Sequence, residues 1–360
     1  MTSTKKITLD GREVEFEDGE TIYAVARRTS AEIPTLCYDD RLDPLGACRL
    51  CVVELEGARN PVASCTTLAT EGMVVRTRTE AIERHRKTLM ELVVSENPRS
   101  ANGAQIDPLR GLASQELAHL AVRYEADGSR FEGARSGRSR LDDPNPMILR
   151  DYDHCISCYR CVRVCAEQEG DYAISVENRG FSTRITTEFG GLLEDSACTF
   201  CGQCVQTCPT GALGDQRALE HADVPGEIER TRSICPYCGV GCSVDILTKG
   251  EKLVGVQPAM DGPANEGALC VKGQFAWEWV QHSDRLKTPL VRKDGKLVPA
   301  SWDEAFERAA EGFRGVEQRH GRHAVYAVAS GRAPHESAYS VQKFIRAGFA
   351  SNYVDNCSRA

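Results

Sequence analysis

Cysteines dominate the chemistry that this sequence can support. Seventeen of the 360 residues are cysteines, and sixteen of them fall into four groups of four. In a reducing compartment, clustered cysteines bind metal rather than form disulfides, and disulfide scaffolds are found mainly in short secreted chains. The pattern therefore predicts iron–sulfur clusters, which need several thiolates that converge on one pocket.

Two of the groups form an internal repeat with the spacing Cys-x2-Cys-x2-Cys-x3-Cys. The first run is Cys155, Cys158, Cys161 and Cys165, and the second is Cys198, Cys201, Cys204 and Cys208. This is the bacterial two-cluster ferredoxin run, in which the fourth cysteine of each run ligates the other cluster. We therefore assign one 4Fe–4S cluster to Cys155, Cys158, Cys161 and Cys208, and a second to Cys198, Cys201, Cys204 and Cys165. A single zinc ion fits such runs poorly, because three cysteines at two-residue gaps wrap a cube better than one tetrahedral ion.

The N-terminal group consists of Cys37, Cys48, Cys51 and Cys65. Small residues before Cys48 allow backbone N–H groups to approach a cluster. The strings Pro-Thr-Leu-Cys-Tyr at 34–38, Gly-Ala-Cys-Arg at 46–49 and Pro-Val-Ala-Ser-Cys-Thr at 61–66 resemble a known 2Fe–2S domain. That domain is shared by the large iron–sulfur subunit of complex I, iron-only hydrogenases and NAD-linked formate dehydrogenases. The resemblance implies one 2Fe–2S cluster on these four cysteines, and a four-cysteine zinc site is the alternative.

The last group is Cys235, Cys238, Cys242 and Cys270. The string Cys-Pro-Tyr-Cys-Gly-Val-Gly-Cys at 235–242, closed by Cys-Val-Lys-Gly at 270–273, resembles the N-terminal cluster motif of the molybdopterin oxidoreductases. The resemblance implies a third 4Fe–4S cluster beside a molybdenum or tungsten bis(molybdopterin guanine dinucleotide) cofactor. In that family the lysine that matches Lys272 lies between cluster and pterin, which implies a role in electron transfer; a surface lysine is the alternative. The remaining Cys357 is expected to be a buried thiol, as lone cysteines commonly are.

The sequence lacks the ligands for one cluster that these relatives hold. They hold a further 4Fe–4S cluster with His-x3-Cys-x2-Cys-x5-Cys after the first domain. The aligned positions are Asn97, Ala101, Ala104 and Arg110, and none of these residue types is a usable iron ligand. We therefore expect this cluster to be absent while the local helices persist.

The elements that position the cysteines predict a multidomain α+β protein. The expected order is a β-grasp 2Fe–2S ferredoxin domain, a helical segment with the degenerate cluster site and a linker, a two-cluster 4Fe–4S ferredoxin domain, a small 4Fe–4S domain and the truncated start of an α/β molybdopterin domain. The corresponding ranges are 1–80, 81–145, 146–216, 228–285 and 286–360. An exposed connection is expected over 128–140.

Periodicity and turn residues predict individual elements of these domains. The predicted strands cover 6–9, 13–16, 51–55, 73–76 and 323–330, and the predicted helices cover 21–28, 81–94 and 336–350, with a further helix that opens at 301–304.

Composition excludes several classes of function. The net charge is −8 and the pI is about 5.6, which gives no support for nucleic-acid binding. No apolar run approaches the roughly 20 residues that a membrane span needs. The first residues lack the apolar core of a signal peptide, so we expect a cytoplasmic protein.

Residues 286–360 favour one relative over the others. The string Lys-Thr-Pro-Leu at 287–290, followed by Ser-Trp-Asp-Glu-Ala at 301–305, resembles the entry to a catalytic pterin domain. The strings Ala-Ser-Gly-Arg at 329–332 and Val-Asp-Asn-Cys-Ser-Arg-Ala at 354–360 resemble formate dehydrogenases. The resemblance implies oxidation of formate to carbon dioxide, with electrons leaving through the clusters to a flavin- and NAD-binding diaphorase-type subunit. A complex I-type relay subunit without substrate chemistry and another molybdopterin oxidoreductase, such as a nitrate reductase, are the alternatives. An iron-only hydrogenase is disfavoured because the group from Cys235 to Cys270 fits the pterin family.

The same resemblance places the metal ligand outside the sequence. In formate dehydrogenases, a cysteine or selenocysteine that binds the metal follows directly after the segment matching 354–360. We therefore expect the catalytic ligand at position 361, no catalytic residue within the chain and no formate oxidation by these 360 residues alone.

Overall fold

A computed structural model describes residues 5–97, 107–131 and 139–357. The chain divides into two compact units. The first consists of Met1–Arg230, Ile246–Pro258 and Ala268–Phe275; the second consists of Thr231–Asp245, Ala259–Gly267 and Ala276–Ala360. Helices and strands are mixed along the chain, so the predicted multidomain α+β class is confirmed.

The first unit begins with a five-stranded sheet in the order β2-β1-β5-β3-β4. Its strands are β1 (Lys5–Leu9), β2 (Arg12–Phe16), β3 (Val52–Leu55), β4 (Val62–Ala63) and β5 (Val74–Arg76). β1 and β2 form an antiparallel hairpin, whereas β1 and β5 run parallel. Helix α1 (Ile22–Arg27) covers the sheet, and the Thr21 hydroxyl caps it by accepting from the Ala24 N–H at 3.2 Å. The strands and the helix predicted for this region are confirmed within one residue or two.

Two helices follow the sheet and share one apolar core. They are α2 (Glu80–Glu96) and α3 (Glu116–Arg123). The predicted helix over 81–94 is confirmed, and the Thr79 hydroxyl caps it by accepting from the Ile82 N–H at 3.2 Å. Met90 and Val94 of α2 pack against Leu117 and Ala121 of α3. The described part of the predicted exposed connection is 128–131 and 139–140; residues 132–138 lie outside the described ranges.

Short elements surround the two ferredoxin runs. They are β6 (Ile148–Arg150), β7 (Ile174–Glu177), β8 (Arg184–Thr187), β9 (Leu213–Asp215), α4 (Arg160–Val164), α5 (Gln203–Gln206) and α6 (Gln216–Leu219). β6 pairs with β9 and β7 pairs with β8, both antiparallel. A π-helical turn at Cys165–Glu169 continues α4. Each cysteine run therefore starts in a loop and continues through a short helix, with Cys165 in the π-helical turn and Cys208 just after α5.

A three-stranded sheet and one short helix follow. The strands are β10 (Glu229–Ile234), β11 (Ser243–Lys249) and β12 (Lys252–Pro258), in that order across the sheet, and the helix is α7 (Val271–Phe275). Helix α7 begins directly after Cys270, so the position of the helix determines the position of the backbone at that cysteine.

Helices and strands alternate in the last part of the second unit. Its elements after 276 are β13 (Leu290–Lys293), β14 (Lys296–Pro299), α8 (Trp302–His320), β15 (Ala327–Ala329), α9 (His335–Phe349) and β16 (Val354–Asn356). The predicted opening of α8 is confirmed, since the Ser301 hydroxyl accepts from the Glu304 N–H at 3.1 Å. The strand predicted over 323–330 is wrong in length: residues 322–324 form a 3-10 turn and only β15 pairs, parallel to β16. Within the described ranges, no helix is long and apolar enough to cross a membrane.

Candidate iron–sulfur centres

The first candidate cubane site is a cavity inside the ferredoxin domain. Its walls contain the four cysteines that the sequence assigns to one cluster, Cys155, Cys158, Cys161 and Cys208. Apolar side chains, among them Ile185 and Leu213, complete the lining. Cys208 comes from the end of the second run, so the fold brings it to the first run across 43 or more residues of sequence.

The second predicted cubane set is Cys198, Cys201, Cys204 and Cys165. Burial raises the pKa of Cys204, and Cys201, Cys198 and Cys165 lie near enough to raise it further. Cys165, Cys198 and Cys204 pack against the same apolar core, and Cys165 again comes from the other run. That these two sets ligate clusters stays a prediction; the structure brings together the residues that the prediction requires.

Both runs have the same backbone conformation. Ser157 and Tyr159 have left-handed φ values of 53° and 63°, and Phe200 and Gly202, at the matching places, have 55° and 78°. The N–H of Ser157 donates to Cys155 Sγ at 3.4 Å, and the N–H of Phe200 donates to Cys198 Sγ at the same distance. Alternating left-handed residues turn backbone N–H groups towards an anion. The repeat thus supplies donors for the negatively charged sulfur of a cluster.

Burial governs the protonation of the cubane thiols. It raises the pKa of Cys158, Cys161 and Cys204, and it raises the pKa of Cys201 to about 12. Without a metal these thiols therefore keep their protons at neutral pH, and iron must displace the protons when it binds. Among the described residues, no three His, Cys, Asp or Glu side chains are grouped for a single metal ion.

The N-terminal set is arranged as two thiol pairs. The Cys48 N–H donates to Cys37 Sγ at 3.4 Å, and the Sγ atoms of Cys51 and Cys65 are 3.2 Å apart. A side-chain hydrogen bond with the Cys48 thiol lowers the pKa of Cys37 to about 6, and one with the Cys65 thiol lowers the pKa of Cys51 to about 7. One thiol of each pair is therefore ready to act as a thiolate ligand near neutral pH.

The loop after Cys37 contacts the ferredoxin domain directly. Asp39 accepts a hydrogen bond from the Thr207 hydroxyl at 2.6 Å, and Arg41 donates to the side chain of Gln203 at 2.9 Å. Thr207 precedes Cys208, so this contact joins the neighbourhood of the N-terminal set to that of the first cubane site. The sequence left open how the two domains meet where the relatives hold a further cluster.

Arg160 reinforces the same junction from inside. It is 4% exposed, donates to the carbonyl oxygen of Thr207 at 3.2 Å and forms a 2.8 Å ion pair with Glu116 of α3. A buried guanidinium needs such partners, because an unpaired buried charge is strongly destabilising. Arg160 therefore ties α3, α4 and the segment before Cys208 together.

The four cysteines of the third cubane set belong to different compact units. Cys235, Cys238 and Cys242 lie in one loop of the second unit, closed by a 2.8 Å hydrogen bond from the Cys235 N–H to the Cys242 carbonyl. Cys270 is exposed and precedes α7 in the first unit, and Lys272 is exposed on that helix. The joint ligation by these four cysteines and the role of Lys272 stay predictions.

The expectation for Cys357 is wrong. Its side chain is exposed, not buried, and its Sγ accepts a hydrogen bond from the Gly331 N–H at 3.2 Å. The cysteine follows β16 at the edge of a two-stranded sheet, where no second layer of the described residues covers it.

Two of the four positions of the missing cluster are described, and both have structural tasks. The Asn97 side-chain amide donates to the Val93 carbonyl at 3.0 Å and so closes the end of α2. Arg110 donates to the Gly211 carbonyl at 2.9 Å. Ala101 and Ala104 lie outside the described residues. The helices on either side persist, as predicted.

Helix α7 is fastened to the ferredoxin domain by a buried polar contact. The side-chain amide of Gln274, which is fully buried, donates to Asp215 at 2.9 Å and to the Val256 carbonyl at 3.0 Å. Asp215 also caps α6 by accepting from the Ala218 N–H at 2.9 Å. Burial raises the pKa of Asp215 to about 7, although hydrogen bonds from Ala218 and Gln274 and the charge of Arg217 oppose the shift.

This carboxyl group predicts a pH-dependent stability. An ordinary unfolded aspartate has a pKa of about 3.9, so between about pH 4 and pH 7 the folded state binds more protons than the unfolded state. The free energy of unfolding should therefore fall as the pH rises through this window, by about 4 kcal/mol at most. Asp215→Asn keeps a hydrogen-bond acceptor and removes the titrating group. The free energy of unfolding of this variant should therefore fall less with rising pH than that of the unmodified chain. Urea unfolding at pH 5, 6, 7 and 8 measures this, and parallel curves for the two proteins would contradict it.

Two hydroxyl groups near the first cubane site bear on whether a cluster would fit there. Tyr152 Oη and Ser157 Oγ are buried and have no hydrogen-bond partner among the described residues. Buried hydroxyl groups are rarely left unpaired, because desolvation costs about 1–3 kcal/mol. Four converging thiols, inward backbone N–H groups and unpaired hydroxyl donors fit a sulfide-rich cluster.

Sequence comparison finds four consecutive family matches. Residues 3–80 match the 2Fe-2S iron-sulfur cluster binding domain, and 145–214 match the ferredoxin-like domain of NADH-quinone oxidoreductase subunit 3. Residues 228–282 match the molybdopterin oxidoreductase Fe4S4 domain, and 285–360 match molybdopterin oxidoreductase. The chain thus combines regions similar to a 2Fe–2S domain, a ferredoxin-like domain and two domains of molybdopterin oxidoreductases, in this order.

Two similar proteins have different names. An NADH-quinone oxidoreductase subunit of Rhizobium meliloti is 35% identical over 98% of this chain and 40% of the relative. A Staphylococcus haemolyticus protein named "Putative formate dehydrogenase" is 28% identical over 98% of this chain and 39% of the relative. The chain thus spans about 40% of the length of these relatives. A chain of the NAD+-reducing [NiFe]-hydrogenase in its H2-reduced state aligns with a TM-score of 0.51 at 29% identity, over 59% of this chain and 88% of that one.

Several residues of the site had no signal in the sequence. Tyr152, Arg160, Asp215 and Gln274 are polar residues of common types at positions without a motif. Their importance follows from burial and from partners far away in sequence, which spacing does not reveal. Arg160 lies inside a cysteine run, and that position is the only hint that the sequence offered.

Proposed function

We propose that this chain is the electron-transfer part of a formate dehydrogenase catalytic subunit. The observation that carries the proposal is the cavity whose walls contain Cys155, Cys158, Cys161 and Cys208, joined through Thr207 and Asp39 to the loop of the N-terminal set. Adjacent cluster sites with short polar connections are what a conduit for single electrons requires. The choice of formate rests on the strings in 286–360 and on the relatives named for that activity.

In this proposal the chain's own residues hold and tune the redox groups. The N-terminal domain, whose strand order β2-β1-β5-β3-β4 supports a β-grasp fold, holds one 2Fe–2S cluster, and the other three cysteine sets hold 4Fe–4S clusters. Lys272 provides positive charge next to the third cubane set. A bound molybdenum or tungsten bis-pterin cofactor would supply the two-electron oxidation of formate. The likeness to subunits of NADH-quinone oxidoreductase and of an NAD+-reducing hydrogenase supports a flavin- and NAD-binding diaphorase-type partner.

Iron analysis tests the ligand assignments. We expect about fourteen irons per chain after anaerobic loading, two from the 2Fe–2S cluster and four from each of three cubanes. The Asn97→Ala variant should bind the same amount, because the site that would have used this position is missing. Iron and acid-labile sulfide assays measure both. Stoichiometric zinc without an iron–sulfur spectrum, or about eighteen irons, would contradict the assignment.

A complex I-type relay subunit is the second candidate, favoured by the 35% identity to an NADH-quinone oxidoreductase subunit. The two candidates differ in substrate chemistry. A protein that carries this chain with a complete molybdopterin domain should contain molybdenum or tungsten and reduce benzyl viologen with formate. Full iron content without either metal and without formate-dependent reduction would identify the relay subunit instead.

A further inference from the structure

Tyr152 is the most unusual polar residue of the first cubane site. It lies in a 3-10 turn at Tyr152–His154, directly before Cys155, and is 3% exposed. Its ring lines the same cavity as Cys155, Cys158, Cys161 and Cys208. Its hydroxyl group has no hydrogen-bond partner among the described residues.

Packing alone does not explain a tyrosine at this position. Phenylalanine would fill the same apolar core, which includes Ile174, Ile185 and Leu213, without burying an unpaired hydroxyl group. A group bound in the cavity that Tyr152 lines would provide the partner that this oxygen lacks among the described residues. Buried tyrosine hydroxyl groups usually find such a partner.

The chemistry of a phenol makes this hydroxyl a donor. An ordinary phenol keeps its proton at neutral pH, so towards an anionic acceptor it can only donate. Cys155 and Cys161 of the first cubane set line the same cavity as Tyr152.

We propose that the Tyr152 hydroxyl donates a hydrogen bond to the 4Fe–4S cluster of Cys155, Cys158, Cys161 and Cys208 and thereby raises its reduction potential. The inference rests on the proposed function, in that it requires the cluster to be present. A cluster gains one negative charge with each electron that it takes up, and a donor stabilises the more negative state more strongly. Tyr152 is thus a tuning residue, with no part in holding the iron.

Redox titration of the whole cluster-loaded chain tests the inference. In Tyr152→Phe, with dithionite as reductant and EPR as readout, one 4Fe–4S signal should become harder to reduce. At the midpoint potential of the unmodified protein, its ratio of reduced to oxidised cluster should fall about tenfold, equivalent to about 59 mV. The 2Fe–2S signal and the iron content should not change.

Tyr124→Phe is the matched control. Tyr124 is also a buried tyrosine, but it packs in the core shared by α2 and α3 and does not line the cubane cavity. Removal of the Tyr124 hydroxyl group should leave the reduction potentials of all clusters unchanged. Pulsed EPR in deuterated water gives an independent readout, because an exchangeable proton coupled to the cubane should be missing in Tyr152→Phe.

Three outcomes would overturn the inference. The first is an unchanged potential at full iron content, and the second is an equal shift in Tyr124→Phe. The third is the loss of one cubane from Tyr152→Phe, which would make the hydroxyl a requirement for assembly. A chain that binds no iron before any substitution would refute the proposed function itself, so the two failures are distinguishable.

Discussion

Cys208→Ala is expected to abolish the cubane of the first run, although Cys208 follows the second run in sequence. Its thiol lines the cavity with Cys155, Cys158 and Cys161, so its loss opens one corner of that cluster. About four irons per chain should disappear, or about one if a three-iron cluster remains. Iron analysis and EPR of the reduced protein measure the loss, and the 2Fe–2S signal should persist.

Double variants identify which cubane has been lost. Cys208→Ala combined with Cys158→Ala should lose at most about four irons, because both residues are assigned to one cluster. Cys208→Ala combined with Cys201→Ala should lose about eight irons, because two clusters are affected. The reverse pattern would show that each run binds its own cluster and would contradict the exchange of the fourth cysteines. Cys165→Ala with Cys201→Ala provides the reciprocal test.

Gly202→Ala is expected to destabilise the first unit strongly. A Cβ atom at this position would lie 2.6 Å from Gln274 Cγ and 3.1 Å from Cζ of the Phe275 ring. Both neighbours are buried on α7, so neither can move without losing packing or the hydrogen bond to Asp215. Overpacking costs about 1–3 kcal/mol, and a left-handed φ costs an alanine about 1–2 kcal/mol more. Anaerobic denaturant unfolding, followed by cluster absorption, should show a loss of about 2–5 kcal/mol.

Gly170→Ala separates the two causes. Gly170 has a φ of +74°, close to the +78° of Gly202, but a Cβ atom there would meet nothing within 4 Å. This control should lose only the conformational part, about 1–2 kcal/mol. In the first run, Tyr159 adopts the left-handed conformation that Gly202 has in the second, so conformation alone does not demand glycine there. Equal losses in the two variants would show that the approach of α7 is not what selects glycine at 202.

Local signals predicted many of the elements correctly. Thr21 and Ser301 precede helices and cap them, as their residue types indicate, and alternating apolar residues mark the first hairpin. These features depend on neighbours within four residues, which a sequence displays directly. The strand predicted over 323–330 is wrong because apolar composition does not determine pairing: β15 ends where its partner β16 ends.

The error at Cys357 has a related cause. A lone cysteine is commonly buried, but burial depends on what covers a sheet edge, and the sequence near Cys357 does not contain that information. The described residues leave its side chain exposed next to Gly331.

Cysteine spacing is enough to predict iron–sulfur chemistry for this chain, because the spacing within a run limits which cluster a short loop can wrap. The order of the predicted domains agrees with the order of the family matches, from the 2Fe–2S domain to the molybdopterin domain. The surroundings of the cysteines, by contrast, follow from the folded structure. The partnership of Thr207 with Asp39, the pairing of Gln274 with Asp215 and the unpaired hydroxyl of Tyr152 all join or bury groups that are far apart in sequence. Such contacts depend on how separate elements pack, and no local pattern encodes them.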